Sequence, residues 1–105
     1  PLWNAVSADL ARPWTLDELA RHASMGKETL RRVCLKETGI SPLHYLTRLR
    51  MRRATELLLF SDDKLLLIAE RVGYSDPFAF SIAFKRETGS SPSDYRKANG
   101  PLSRH

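Results

Sequence analysis

Apolar residues recur along this chain at spacings of three and four, which is the period of an amphipathic α-helix rather than of a strand. Prolines and isolated glycines interrupt the pattern at regular places. The pattern therefore predicts an all-α fold of seven helices. We expect these helices over residues 2–10, 16–22, 27–38, 42–60, 64–72, 77–88 and 92–97.

Most of the predicted helix ends carry residues that are typical of caps. Thr15 and Glu18 form a capping box, in which the hydroxyl accepts from the third helical N–H and the carboxylate bonds back to the Thr15 N–H. Gly39 and Gly89 stand where a residue in the left-handed conformation ends a helix. Three further helices begin with a capping side chain and a proline, at Ser41-Pro42, Asp76-Pro77 and Ser91-Pro92.

The apolar side of each helix predicts the core. Aromatic residues at the helix junctions are also expected to pack there, rather than to stack on single-stranded nucleic acid. The expected core comprises Trp3, Val6, Leu10, Trp14, Leu30, Val33, Cys34, Leu43, Tyr45, Leu46, Leu49 or Arg50, Ala54, Leu57, Leu58, Tyr74, Phe80, Ala83, Phe84 and Tyr95.

One sequence unit occurs twice, with an offset of fifty residues. Residues 36–42 (KETGISP) followed by Tyr45 match residues 86–92 (RETGSSP) followed by Tyr95. Such self-similarity indicates a repeated structural unit.

Each copy of the repeat predicts a helix-turn-helix, because a tight turn joins two short helices. The small Ala20 and Ala69 stand at equivalent places, where the two helices must approach closely. A helical bundle that repeats without binding DNA is the alternative. We expect a first unit over 1–40, a linker helix over 41–60, a second unit over 61–98 and a frayed tail over 99–105.

The third helix adds a chemical argument for DNA. Lys27, Arg31 and Arg32 share its outer face, opposite the apolar residues. Arginine offers two parallel donors that match guanine O6 and N7, and any of these cations can instead meet a phosphate. The net charge of +5 suits a polyanionic partner.

Composition narrows the function classes further. The longest apolar run, LLLIA at residues 65–69, is far shorter than a membrane span, and the N-terminus has no signal-peptide pattern. The single Cys34 suits a cytoplasmic thiol in a helix. Because His22, His44 and His105 form no metal-binding or catalytic pattern with Cys34, we expect no enzymatic activity and no cofactor.

The fourth helix supports a different function class. Its arginines stand beside apolar residues, as in a basic amphipathic helix that binds an anionic membrane surface or a protein partner. A solvated face with salt bridges is the competing interpretation. The residues concerned are Arg48, Arg50, Arg52, Arg53, Leu46, Leu49, Leu57 and Leu58.

Residues 14–97 resemble the tandem helix-turn-helix DNA-binding domain of the AraC/XylS transcription regulators. The second half carries the resemblance most specifically, and the first half agrees from Leu16 to Ala20 and over 50–58. The matching residues of the second half are 68–74 (IAERVGY), Phe80, Ser81, 84–86 (FKR), Gly89, Ser91, Pro92, Tyr95 and Arg96. The corresponding positions of the first half are Leu30, Arg32, Gly39, Ser41, Pro42 and Tyr45.

The resemblance implies two homeodomain-like units that read successive major grooves with the third and sixth helices, the fourth being the spacer. It implies base contacts from Glu28, Arg31, Arg32, Pro77, Phe78, Ser81 and Ile82, with Lys27 nearby. We expect phosphate contacts from Thr15, Lys36, Arg53, Lys85 and Arg86.

The resemblance also implies partners and a location. Double-stranded DNA is the expected partner, with RNA polymerase as a second one and no membrane. A sensing or dimerisation domain usually precedes this type of domain, so the chain looks like an excised part of a longer protein. The expected location is the bacterial cytoplasm, at the nucleoid.

This chain departs from the family pattern at both reading helices. Ile82 and Pro77-Phe78 replace polar residues on the sixth helix, which makes this reader mostly apolar. It could contact thymine methyl groups, or it could dock on the backbone through Ser81, Lys85 and Arg86. Gly26 replaces the usual serine cap of the third helix, which weakens that helix slightly.

Overall fold

The computed structural model describes residues 1–100, and seven helices account for most of them. This confirms the predicted all-α fold. The helices are α1 (Leu2–Ser7), α2 (Leu16–His22), α3 (Lys27–Thr38), α4 (Pro42–Phe60), α5 (Leu65–Arg71), α6 (Pro77–Thr88) and α7 (Pro92–Asn99).

The predicted helix limits are wrong at a few ends. The first helix ends at Ser7 and not at residue 10. The chain turns after Ser7, and the Trp14 indole N–H donates to the Asp9 carbonyl at 2.8 Å. α5 is shorter than predicted by one residue at each end. A frayed tail was expected from residue 99, but Asn99 is the last residue of α7 and Gly100 is buried. The rest of the expected tail, residues 101–105, lies outside the described part of the chain.

The chain divides into a first unit, Pro1–Leu49, and a second unit from Arg50 onward, with α4 running through the division. Each unit has its own core. The core of the first unit is Val6, Leu10, Trp14, Leu19, Ala20, Leu30, Leu46 and Leu49. The core of the second unit is Met51, Ala54, Leu57, Leu58, Ile68, Ala69, Val72, Phe80, Ala83 and Phe84.

Leu43 is placed differently from the prediction, and five further predicted core residues are half-buried rather than buried. These are Trp3, Val33, Tyr45, Tyr74 and Tyr95. Leu43 is 46% exposed, because Pro42 rather than Leu43 is buried at the start of α4. Val33 and Trp3 are half-buried, and they line a small cavity of about 180 Å³ beside Cys34. Leu30 and Cys34, one turn apart, form the fully buried face of α3.

Cap residues fix where the helices begin and end. Thr15 Oγ1 accepts from the Glu18 N–H at 3.1 Å, but the Glu18 carboxylate pairs with Arg12 Nε at 3.0 Å, so the predicted return bond is replaced by an ion pair. Ser41, Asp76 and Ser91 each accept a backbone N–H of the helix that follows. Gly39 and Gly89 have φ values of +81° and +86°, as predicted for residues that end helices.

The turn of each helix-turn-helix is closed in the same way. The Met25 N–H donates to the Ala20 carbonyl at 3.0 Å, and the Tyr74 N–H donates to the Ala69 carbonyl at 2.8 Å. Ser24 and Gly73 have positive φ values at equivalent turn positions. Backbone hydrogen bonds therefore define the geometry between α2 and α3 and between α5 and α6.

Arg96 anchors α7 within the second unit. Its guanidinium donates to four backbone carbonyls, those of Leu57 (3.4 Å), Leu58 (3.4 Å), Ser61 (2.9 Å) and Asp63 (2.5 Å). Carbonyls at the end of a helix lack a partner within that helix, and the guanidinium supplies a donor to Leu58 and to the loop carbonyls of Ser61 and Asp63. The Leu57 carbonyl also accepts from the Ser61 N–H and hydroxyl, so Arg96 gives it an additional donor. This role of Arg96 is not evident from the sequence pattern.

Candidate nucleic-acid interface

The buried face of α3 determines which side chains face outward. Leu30 and Cys34 are 3% and 2% exposed, and residues near the opposite side of a helix then point away from the core. The predicted base-contacting residues Lys27, Glu28, Arg31 and Arg32 are all exposed on α3.

The cations of α3 differ in their electrostatic surroundings. Lys27 Nζ lies 3.2 Å from Asp17 Oδ1 of α2, and Arg31 forms an ion pair with Glu28 one turn away. Arg32 makes no ion pair with any residue of the described range 1–100. Arg32 is thus the cation of this face whose guanidinium donors are not engaged by a carboxylate.

Asp17 is a residue of this surface that the sequence reasoning missed. Its contact with Lys27 joins α2 to α3 on the outer side of the first unit. The available signal was its place in the first turn of α2, where an acidic residue favours the helix dipole. That signal says nothing of a partner on another helix.

α6 presents an outward face of another kind. Phe80, Ala83 and Phe84 are buried, and the rings of Phe80 and Phe84 lie 5.9 Å apart. Phe78 and Ile82, one turn apart, are 78% and 67% exposed. Pro77 is exposed as well, whereas the remaining predicted base-contacting residue, Ser81, is half-buried.

The predicted phosphate-contacting residues occupy varied surroundings. Lys36, Lys85 and Arg86 are exposed in the last turns of α3 and α6. The Thr15 hydroxyl is used as a helix cap, and Arg53 Nη1 lies 3.3 Å from Glu56 Oε2 on α4. Arg86 Nε is 4.0 Å from Glu87 Oε1. Lys36 and Lys85 therefore have the least competition from nearby carboxylates.

The leucines of α4 on which the amphipathic-helix hypothesis depends are not available to a membrane or a partner. Its residues Leu46, Leu49, Leu57 and Leu58 are all buried in the cores of their own units. Arg50 is half-buried and lies over the Tyr74 ring at 5.9 Å. Burial lowers the pKa of Arg50 from its ordinary value, and Tyr74 opposes that change.

Charged and polar side chains line a cleft on the surface of the first unit. This cleft has a volume of about 460 Å³ and is lined by Arg12, Glu18, Arg21 and His22. Within residues 1–100, His, Cys, Asp and Glu side chains form no group of three that could hold a metal ion. None of the helices in this part of the chain is long and apolar enough to cross a membrane.

Sequence comparison places these features in a known context. The family model described as "Helix-turn-helix domain" matches residues 19–98. A protein of Streptomyces lividans named as an AraC-like transcription regulator is 43% identical over 89 residues, which cover 85% of this chain and 29% of that protein. The chain thus spans less than a third of the length of this relative.

Two solved structures have the same fold over nearly the whole chain. The C-terminal domain of AraT, a response regulator from Geobacillus stearothermophilus, has a TM-score of 0.89 and 36% identity, covering 95% of this chain and 84% of that one. The DNA-binding domain of AdpA, solved with a target DNA, has a TM-score of 0.88 and 33% identity, and the match covers 92% of this chain and 87% of that one. The chain therefore belongs to the helix-turn-helix domain family of the AraC/XylS transcription regulators.

Proposed function

We propose that this chain binds double-stranded DNA at specific sequences and regulates transcription, with α3 and α6 as the reading helices. The observation that carries the proposal is the state of Arg32. It is exposed on a helix whose opposite face is buried, and no carboxylate of the described residues engages it. A guanidinium in this state can donate two parallel hydrogen bonds to guanine O6 and N7.

Two ion pairs beside Arg32 restrain the neighbouring cations on the outer face of α3. Lys27 and Arg31 are held by Asp17 and Glu28, so each must exchange a carboxylate for a DNA oxygen or a base edge on binding. Such exposed pairs are worth little in water, about 0–1 kcal/mol each, so the exchange costs little. They restrain the two side chains on the outer face until DNA arrives.

The names of the related proteins support this proposal. The AdpA domain was solved with its target DNA, and the Streptomyces lividans relative is named as a transcription regulator. In the proposal α4 serves as the linker helix between the two helix-turn-helix units. The net charge of +5 favours encounter with a polyanion.

The proposal extends to the longer protein that the relatives suggest. A sensing or dimerisation domain would control where and when this domain binds, and RNA polymerase would be the second macromolecular partner. In this proposal the protein acts on bacterial DNA, and its location is the cytoplasm, at the nucleoid.

The experiment begins with selection of bound sites from random duplex DNA, using the 105-residue chain. Affinity for a selected duplex and for an unrelated duplex is then measured at several salt concentrations. We expect a preference for the selected duplex and a linear fall of log affinity with log salt, since cations that meet phosphates release counterions. A flat salt response, or tighter binding to anionic vesicles than to the duplex, would contradict the proposal.

A further inference from the structure

The outward face of α6 is apolar where that of α3 is charged. In the fifty-residue repeat, Phe78 corresponds to Glu28 and Ile82 corresponds to Arg32. Phe78 is the most exposed large hydrophobic residue of the described range, and Ile82 is exceeded only by Phe78 and Phe60. The second unit therefore has large apolar groups at the positions where the first unit has its reading charges.

The core holds this face outward. Phe80 is in ring contact with both Tyr74 and Phe84, at centroid distances of 5.7 Å and 5.9 Å, which fixes the rotation of α6 about its axis. Phe78 and Ile82 are one turn apart and cannot turn inward without displacing these rings. The Asp76 carboxylate, which accepts from the Phe78 N–H at 2.9 Å, holds the first turn of the helix in place.

Little on this face could read a base edge by hydrogen bonding. The Ser81 side chain is half-buried, and residues 77–84 include no cation. Lys85 and Arg86 follow at the end of the helix, where their charges match phosphates. A face that is apolar at its centre and cationic at one end suits a DNA groove in which an apolar group is exposed.

The major groove exposes one apolar group, the C5-methyl group of thymine. We propose that Phe78 and Ile82 of α6 recognise thymine through this methyl group, so that the second unit selects T·A pairs by apolar contact rather than by hydrogen bonds. This inference rests on the proposed function and deepens it. It assigns the two units different recognition chemistries, with guanine read by α3 and thymine methyl read by α6.

The test replaces thymine by deoxyuridine, which removes the methyl group and leaves the hydrogen-bonding edges unchanged. A duplex selected by the 105-residue chain is made with deoxyuridine at each thymine in turn. At one or two positions we expect binding to weaken about fourfold, the equivalent of burying one methyl group. The same substitutions are then measured with Phe78→Ala and Ile82→Ala.

The variants decide whether α6 is responsible. At the sensitive positions, at least one of Phe78→Ala and Ile82→Ala should bind the thymine and deoxyuridine duplexes equally. Leu66→Ala is the matched control, since Leu66 is an exposed leucine of α5, 52% accessible, and should preserve the fourfold difference. All three side chains are exposed, so the variants should melt at the wild-type temperature.

Several outcomes would overturn the inference while leaving DNA binding intact. These are no effect of deoxyuridine at any position, a fourfold effect that survives both α6 variants, or a loss of the effect in Leu66→Ala. Unchanged affinity of both Phe78→Ala and Ile82→Ala for every duplex would overturn it as well, because the outward face of α6 would then contribute nothing to DNA binding. Failure of the wild-type chain to bind any duplex would instead contradict the proposed function itself.

Discussion

Thr38 and Thr88 stand fifty residues apart and make equivalent hydrogen bonds at the ends of α3 and α6. Each hydroxyl donates to the carbonyl four residues earlier, at 2.7 Å for Cys34 and 2.8 Å for Phe84. Each also accepts a backbone N–H two residues later, from Ile40 at 3.3 Å and from Ser90 at 3.4 Å. The sequence repeat is thus also a repeat of helix-ending hydrogen bonds.

Replacing either hydroxyl by a methyl group should destabilise the protein unequally. Thr38 is half-buried and Thr88 is exposed, so water can replace the lost bonds more easily at Thr88. We expect Thr38→Val to lower the free energy of unfolding by about 1 kcal/mol and Thr88→Val by less. Urea unfolding measures both, and Thr38→Ser, which keeps the hydroxyl, is the control. Equal losses of unfolding free energy in the two valine variants would show that burial does not determine the contribution of these hydroxyls.

Arg32→Ala should remove base discrimination from the first unit. Loss of a two-bond contact to guanine is expected to cost about 1–3 kcal/mol on the selected site and to relax base preference at one or two positions. Arg31→Ala should cost less, because Arg31 already pairs with Glu28. Affinities for a panel of single-base-pair substitutions test this. If Arg32→Ala weakens all duplexes by the same factor, Arg32 contacts phosphate instead.

Lys85→Ala should weaken every duplex alike. A phosphate contact carries no base information, and its loss should reduce the slope of log affinity against log salt by about one. Lys97→Ala removes the same charge from α7, a helix outside the helix-turn-helix pair, and should leave the slope nearly unchanged. A change of preferred sequence in Lys85→Ala would assign this side chain to a base edge.

Leu30→Asp should unfold the first unit, because it places a carboxylate where the side chain is 3% exposed. Burying an unpaired charge costs several kcal/mol, against a total stability of about 5–15 kcal/mol. Leu35→Asp is the matched control on the same helix, since Leu35 is 59% exposed. Thermal melting should show a large loss for Leu30→Asp and a small change for Leu35→Asp. Similar melting temperatures would contradict the assigned inner face of α3.

Arg96→Ala should lower the stability of the second unit by about 2–3 kcal/mol, since it removes the donor from the Leu58, Ser61 and Asp63 carbonyls. Arg96→Lys keeps the charge but cannot reach all four carbonyls, so it should recover only part of the loss. Denaturant unfolding compares the three proteins. Full recovery of stability in Arg96→Lys would mean that the charge alone, rather than the several donors of the planar guanidinium, stabilises this end of α4.

Local signals in the sequence were sufficient for most of the fold. Ser41, Asp76 and Ser91 cap helices where predicted, and Gly39 and Gly89 end helices in the left-handed conformation. These features depend on residues within a few positions of one another, which is the range over which caps act.

Contacts between distant residues were not predictable in the same way. The Lys27–Asp17 pair joins two helices, and Arg96 reaches carbonyls more than thirty positions earlier in the chain. Leu43 was placed in the core by its spacing, yet Pro42 fills that place. Such outcomes depend on how whole helices pack, so periodicity identifies a face but not its edges.

The independence of the α6 surface from the α6 core has a consequence for protein engineering. Since Phe78 and Ile82 are exposed and the helix is held by Phe80, Ala83 and Phe84, the outer residues can be exchanged without repacking the unit. Because the repeat aligns Glu28 with Phe78 and Arg32 with Ile82, these two side chains of α3 could be transplanted onto α6. The outward face of α6 can in this respect be redesigned while the packing of the second unit is kept.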